Sequence, residues 1–262
     1  MSEEENLLII SDDKKINSRD ISLISLSSGQ VLVIACDSSG GIGPLKNDHI
    51  NVPGEIVGRF LARVPLMEIM SIGAEPIGLI DTLSIAYEPV GRTILAGIKE
   101  ELREADLEND IFLNGSTEEN IPTSQTGAGL TVIGITSKNK IRSGNAKPGD
   151  LVVAVGLPRV GNEVMESLDI IADIKSLRRI NSCTGVHEVI AAGSKGINYE
   201  SRVLAEMSEL KLRQSGSCQI PLDKSCGPAT VLLVAVAAPS VDLLKKITSK
   251  PINIIGRLEK DE

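Results

Sequence analysis

The sequence predicts an α+β protein built as two units, residues 1–145 and 146–262, and three observations carry that expectation. The chain has 262 residues, more than one average domain. β-Branched runs and helical periodicities follow one another in mixed order, which fits two α/β or α+β units better than a single doubly wound sheet. The polar link Ser143-Gly144-Asn145 leads into the turn Lys147-Pro148-Gly149-Asp150 and a fresh apolar run, Leu151–Val155.

Taken in order, Leu7–Ile10, Ile21–Leu26 and Val31–Cys36 read as strands, with Ser27-Ser28-Gly29-Gln30 as a hairpin turn. A glycine-rich loop, Asp37–Pro44, is expected next. Pro53 marks a helix start and Gly73 its stop after Ile72, and Pro65 predicts a kink or two shorter helices. Gly54-x-x-x-Gly58 reads as helix packing. Ile77–Ile85 is a buried strand. Pro89 opens a second helix, with Val90, Ile94, Leu95, Ile98 and Leu102 on one face. Ile111–Leu113 and Gly129–Thr136 are strands separated by the polar loop Asn114–Thr126. The second unit should hold helices over Gly161–Ser176, Asn198–Leu210 and Ser240–Thr248, and strands over Leu151–Val155, Thr230–Val236 and Ile252–Leu258.

Composition narrows the function. Hydrophobic residues make up 42% but aromatics only 2%, with no Trp, so the core must be aliphatic and stacking on single-stranded nucleic acid is disfavoured. The net charge is −8 and the basic residues are scattered, which argues against a nucleic-acid partner. No apolar run approaches the roughly 20 residues that span a bilayer. Met1-Ser2-Glu3-Glu4-Glu5 lacks the layout of a signal peptide, so no membrane partner and a cytoplasmic location are expected. Cys36, Cys183, Cys218 and Cys226 form no CxxC and should be reduced, mostly buried thiols. His49 and His187 stand alone and read as polar loop or core residues.

The chemistry concentrates in the first half. Asp20, Asp37, Asp81 and Thr117-Glu118-Glu119 stand at strand ends or beside glycines. Asp37 opens Ser38-Ser39-Gly40-Gly41-Ile42-Gly43, whose backbone amides can form an anion-binding nest. Asp81 interrupts an apolar strand, where a carboxylate needs a cation or several donors. A single Asp at a strand end is ordinarily a turn cap or an ion-pair partner. Several acids converging on a glycine-rich segment suit Mg²⁺ with a nucleotide, because Mg²⁺ takes one or two carboxylates plus phosphates and water. The glycine-lysine phosphate loop, the dinucleotide fingerprint and the protein-kinase signatures are all absent.

Asp37–Gly43, Ile72-Gly73-Ala74-Glu75-Pro76, Asp81 and Asn114-Gly115-Ser116-Thr117-Glu118-Glu119 occur in the order seen in aminoimidazole ribonucleotide synthetase-like (PurM-like) proteins. Lys147–Asp150, Gly193-Ser194-Lys195-Gly196-Ile197 and Ile255-Gly256-Arg257-Leu258 extend the resemblance over nearly the whole chain. It implies a homodimer whose N-terminal domains share a β-barrel, each carrying an α+β C-terminal domain. It also implies ATP and Mg²⁺ as cofactors and a small-molecule substrate. Metal coordination would fall to Asp20, Asp37 and Asp81, and ATP contacts to Ser38, Ser39, Gly40, Gly41, Gly43 and Thr117. Asp37, Glu68 and Glu119 would be catalytic, with Glu68 or Glu119 orienting the attacking hydroxyl. The chain departs from the family at Met67, where Asn is usual, at Glu68, where Asp is usual, and at Ser116, which replaces an acid.

Those departures point to a branch. The chain ends Glu259-Lys260-Asp261-Glu262, not in the cysteine of carbamoyl-dehydratase maturation proteins. It has no reactive Cys before Cys36, unlike selenophosphate synthetase, and lacks the Val-His-Phe run of thiamine-monophosphate kinase. The Asp37–Gly43 segment and Gly58–Met70 resemble the short α-ribazole kinases, which phosphorylate the 5′-hydroxyl of a benzimidazole riboside in cobalamin salvage.

Overall fold

The computed structural model describes residues 20–216 and 218–260, so the strand expected at Leu7–Ile10 lies outside the described residues. β1 (Ile21–Ser25) and β2 (Gln30–Gly40) form the expected hairpin, closed by the Leu26 amide donating to the Gln30 carbonyl at 2.9 Å. The short parallel pair β3 (Ile42–Gly43) and β4 (Ile50–Asn51) leads into helix α1 (Gly54–Ser71). Then come β5 (Glu75–Leu83), α2 (Arg92–Glu104), β6 (Phe112–Thr117) and β7 (Gly127–Ser137). The first sheet has the order β1-β2-β7-β5-β6, with only β5 and β6 parallel. Among the described residues it is an open sheet with β1 and β6 as its edges.

One face of this sheet carries Val33, Ala35, Leu79, Leu83, Leu130 and Val132, all buried beneath the helices. The register puts Leu32, Ile34, Ile133 and Ile80 on the opposite face, where Ile80 is 38% and Phe112 51% exposed. No charged residue falls in those rows between Leu32 and Cys36 or between Thr131 and Ile135.

The second half builds its own sheet, order β10-β12-β8-β11-β9, antiparallel throughout. Its elements are β8 (Leu151–Gly156), α3 (Ile174–Asn181), β9 (Val186–Ala192), α4 (Gly196–Met207), β10 (Leu210–Gln214), β11 (Val231–Val236), α5 (Val241–Ile247) and β12 (Ile252–Lys260). The interior strand β11 (Val-Leu-Leu-Val-Ala-Val), between β8 and β9, is buried at every residue, because α4 covers one face while α3, α5 and α1 cover the other. α1 therefore touches β2 and β7 of one sheet and β9 of the other, and one apolar core runs across both halves.

Close backbone approach locks α1 to α2. A Cβ on Gly58 would collide with the Ile94 carbonyl, and one on Gly97 with the Glu55 carbonyl. The reading of Gly54-x-x-x-Gly58 as helix packing holds. Between the same helices, Glu101 accepts from Arg63 Nε at 2.6 Å and Arg63 Nη2 at 3.1 Å, with both side chains buried.

Several expectations are corrected. Asp37–Gly40 is strand, not loop: β2 runs on, pairing Asp37 with Leu130, Ser38 with Gly129, Ser39 with Ala128 and Gly40 with Gly127. The ladder satisfies backbone groups that a local reading of Ser and Gly would assign to a turn. α1 is continuous through Pro65, since burial between two sheets outweighs the lost hydrogen bond. Asn114–Thr117 belongs to β6, paired in parallel with β5. In place of a helix over Gly161–Ser176 there is a 3-10 turn, Gly161–Ser167, and then α3, whose start is fixed by Asp173 Oδ1 accepting from the Ser176 amide at 2.7 Å. β9 and β10 escaped the sequence reading. Of the four cysteines, all free, Cys183 and Cys226 are buried, Cys218 is half-buried and Cys36 is exposed.

Candidate active site

Where β2 leaves the core beside α1, a cleft of about 500 Å³ opens between the two halves, within the size range of small-ligand sites. One wall is the end of β2, from Cys36 to Gly40, with Ile42 and Ile50. α1 supplies the floor through Ile56, Val57, Phe60, Leu61, Val64 and, one turn on, Glu68. The far wall is Val160, Val164 and Met165 of the 3-10 turn, the end of β9 through Gly193 and Ser194, and Gly227–Ala229. Among the described residues the lining includes three acids, Asp20, Asp37 and Glu68, and no Lys, Arg or His.

The acids sit together for reasons of topology. Asp37 faces the helices from β2 in the same row as Ala35 and Val33. Burial pushes its carboxyl up to about 6, the Ser38 amide pulls it back, and the charge of Asp20 raises it further. Beside Gly193 of the far wall, and outside the lining itself, Glu200 of α4 is pushed up to about 7, first by burial and then by the charges of Glu68 and Asp20, against Lys195 and the Gly193 amide. Lys195, next in the chain to Ser194 and outside the lining, lies 4.3 Å from the Tyr199 ring centroid, and its pKa is raised by the Tyr199 hydroxyl and by Asp20 and Glu200. Glu200 was missed by the sequence reading. Its only signal was its place one turn beyond Gly193-Ser194-Lys195-Gly196-Ile197, where an acid on a helix looks like any solvated one.

The other expected site residues fall into two groups. Asp37, Asp20, Glu68, Ser38, Ser39 and Gly40 line the cleft. Asp81, Gly41, Gly43, Thr117 and Glu119 are not among its lining residues. Asp81 shares a row with Asp37, separated by Leu130 of β7, and the next position in that row is Gly115. A Cβ on Gly115 would collide with the Asp81 carboxylate, so the glycine of the Asn-Gly-Ser-Thr segment makes room for it. Asp81 is buried, which raises its pKa. The Gly41 amide donates to the Thr126 carbonyl at 2.8 Å, so it is spent on the fold instead of an anion nest. Asp48 staples this segment, accepting from the Leu45 amide, the Thr126 amide and Thr126 Oγ1 at 2.7–2.8 Å. Glu119 is exposed and accepts from Thr117 Oγ1 at 2.6 Å and the Tyr87 amide at 2.8 Å, which hold its carboxyl below the usual range and brace the loop after β5. Met67 is fully buried in the core and turned away from the cleft lining.

Among the described residues no three His, Cys, Asp or Glu are grouped to hold a metal ion, so Asp20, Asp37 and Asp81 do not make a closed cage. The donor set nevertheless fits Mg²⁺. Hard carboxylate oxygens converge on one cleft whose described lining has no cation, and Mg²⁺ bound with a polyphosphate needs only one or two of them. Asp37 and Asp20 would hold it, with Glu68 lining the same space.

No protein-family model matches the sequence, and no curated protein sequence matches it either. Solved structures do share the fold. AaThiL complexed with AMPPCP and TMP is 17% identical at a TM-score of 0.62, over 95% of this chain and 87% of that one. Thiamine-monophosphate kinase from Stenotrophomonas maltophilia is 18% identical at 0.60, over 93% and 90%. Phosphoribosylformylglycinamidine synthase II from Thermotoga maritima is 12% identical at 0.61, and this chain, matched over 91% of its length, covers 42% of it. No helix among the described residues is long and apolar enough to cross a membrane. The chain thus shares the fold of these structures.

Proposed function

We propose that the chain is an ATP- and Mg²⁺-dependent small-molecule kinase whose acceptor is α-ribazole, phosphorylated on its 5′-hydroxyl in cobalamin salvage. The observation that carries this reading is the polarity of the cleft. Acids gather at its β2 end, while Ile42, Ile50, Val57, Phe60, Val164 and Met165 make the remainder apolar. An uncharged benzimidazole riboside matches the apolar walls, and its hydroxyl matches the acidic end. Bound at Asp37 and Asp20, Mg²⁺ would neutralise the polyphosphate that the carboxylates alone would repel.

In the transfer, the acceptor oxygen bonds to the γ-phosphorus as the γ-phosphorus–oxygen bond to ADP breaks. The hydroxyl proton passes to a cleft carboxylate, and we assign Glu68 to that role, with Glu200 beside it. Ser38, Ser39 and Gly40 contact the nucleotide from β2 in this scheme. Loose phosphoryl transfer leaves positioning and electrostatics to supply most of the rate. The unit boundary near residue 146 and a homodimer joined through the open face of the first sheet complete the proposal. Its support is the uncharged apolar strip on that face, including Phe112, 51% exposed.

A second reading, thiamine-monophosphate phosphorylation, is favoured by the fold shared with thiamine-monophosphate kinase. Against it, the described lining offers no cation for a second phosphorylated substrate. The test is ADP release and product mass with Mg–ATP and a panel containing α-ribazole and thiamine monophosphate. α-Ribazole 5′-phosphate is the expected product. Turnover on thiamine monophosphate alone would establish the second reading, and ATP binding with no ADP from any acceptor would make the chain a nucleotide-binding regulator.

A further inference from the structure

On another side of the molecule, a second pocket of about 530 Å³ opens at the junction of the two sheets, around the segment that links β7 to β8. Its lining includes Lys140, Arg142 and Lys147 from that segment and His187 from β9, with Asn139 and Asn145 between them. No carboxylate is among its lining residues, in a chain whose net charge is −8. Lys140 and Lys147 are exposed, so their ammonium groups are not consumed by the fold.

His187 is positioned by two features. β9 carries a bulge at this point: Val236 pairs with Val186 and Ala235 with Glu188, leaving His187 without a partner in the register. Such an irregularity re-aims a side chain. Asp150, buried at the start of β8, then holds the ring, its Oδ2 lying 2.7 Å from His187 Nδ1 and also accepting from the Lys147 amide at 2.8 Å. That leaves Nε2 as the ring's remaining polar atom. The neighbouring acid, Glu188, is buried and accepts from the Asn145 amide at 3.0 Å and Ser208 Oγ at 3.3 Å. Arg142 Nη1 donates to the Asn181 carbonyl at 2.9 Å, which fixes the guanidinium at the edge of the pocket.

We propose that this junction pocket is a binding site for a small phosphorylated anion, held by Lys140, Lys147, Arg142 and His187 and separate from the cleft. Charge-assisted hydrogen bonds from several fixed donors are the usual means of holding phosphoryl oxygens. Gly73, just past the end of α1, also lines the pocket, so an occupant would join the linking segment to α1, which floors the cleft, and to β9, which ends in its far wall.

The chain has two histidines, so His49→Gln leaves His187 as a single reporter. Its imidazole signals are followed by NMR at one fixed pH, without Mg²⁺, as inorganic pyrophosphate is added at matched ionic strength. They should move and saturate with added pyrophosphate. In a Lys140→Ala/Lys147→Ala variant, pyrophosphate affinity should fall by about an order of magnitude. Signals that do not move, or that saturate with equal affinity in the double variant, overturn the proposal. The readout is independent of turnover, so its outcome is separable from that of the kinase assay.

Discussion

Asp37 in the cleft and Glu200 beside its far wall are half-buried carboxylates, and their environments make a pH signature. Folded, they titrate near 6 and 7, above their ordinary 3.8 and 4.5, chiefly through burial. Between those values the folded protein keeps protons that the unfolded chain has released, so stability falls as pH rises from about 4 to about 7 and then levels off. Replacing Asp37 by Asn removes one such charge. At pH 8 the variant should be more stable in urea than the parent, by about 1–3 kcal/mol, while losing Mg²⁺-dependent turnover. Retained turnover in the folded variant would sink the assignment of Asp37. At the proposed site Mg²⁺ would displace the Asp37 proton, so its affinity, measured by calorimetry, should strengthen from about pH 5 to about pH 8 with proton release. The doubly substituted Asp37→Asn/Glu200→Gln protein should show a flat profile.

At the scale of elements, α1 is the piece on which both halves depend. It is clamped to α2 by the buried Arg63–Glu101 pair, extended by Arg59 Nε at 3.3 Å from Glu101 Oε2. Removing one partner strands the other charge, so Glu101→Gln should cost about 3–5 kcal/mol in chemical denaturation. Gly58→Ala tests the neighbouring contact by a different route. The added methyl meets the Ile94 carbonyl, and the helices must separate, at about 1–3 kcal/mol or more. Because Glu68, Val64 and Phe60 project from the same helix into the cleft, Gly58→Ala should also raise the KM for the acceptor.

For the whole molecule, the proposed dimer rests on the open face of the first sheet. Ile80 and Phe112 stand exposed on an uncharged strip that a second copy would cover. In light scattering after size exclusion the parent chain should be a dimer, and Ile80→Asp/Phe112→Asp should be a monomer with an unchanged circular dichroism spectrum. A monomeric parent would remove the dimer from the proposal. Much of the fold at this scale was legible beforehand: the hairpin at Ser27–Gln30, the helix start at Pro53, the stop at Gly73 and the face Ile94, Ile98, Leu102 all follow from local chemistry and period. The continuous α1 through Pro65 was not, because its stability comes from two sheets far apart in sequence. Nor were β9 and β10, which exist through their neighbours β11 and β12.

The amino-acid sequence alone determined which residue types were available for chemistry, and it set Asp37, Ser38 and Ser39 beside a glycine-rich segment at the end of an apolar run. Local pattern suffices there, because a strand's alternation and a glycine's lack of Cβ are properties of a few adjacent residues. Which of the acids share a cleft was settled by chain crossings. Glu68 reaches it from α1, 31 residues after Asp37, while Asp81, in the same row, lies behind Leu130 and over Gly115. Glu119 is likewise taken up by Thr117 and Tyr87 outside the cleft lining. Proximity between such residues depends on strand order and register, which no short window of sequence encodes.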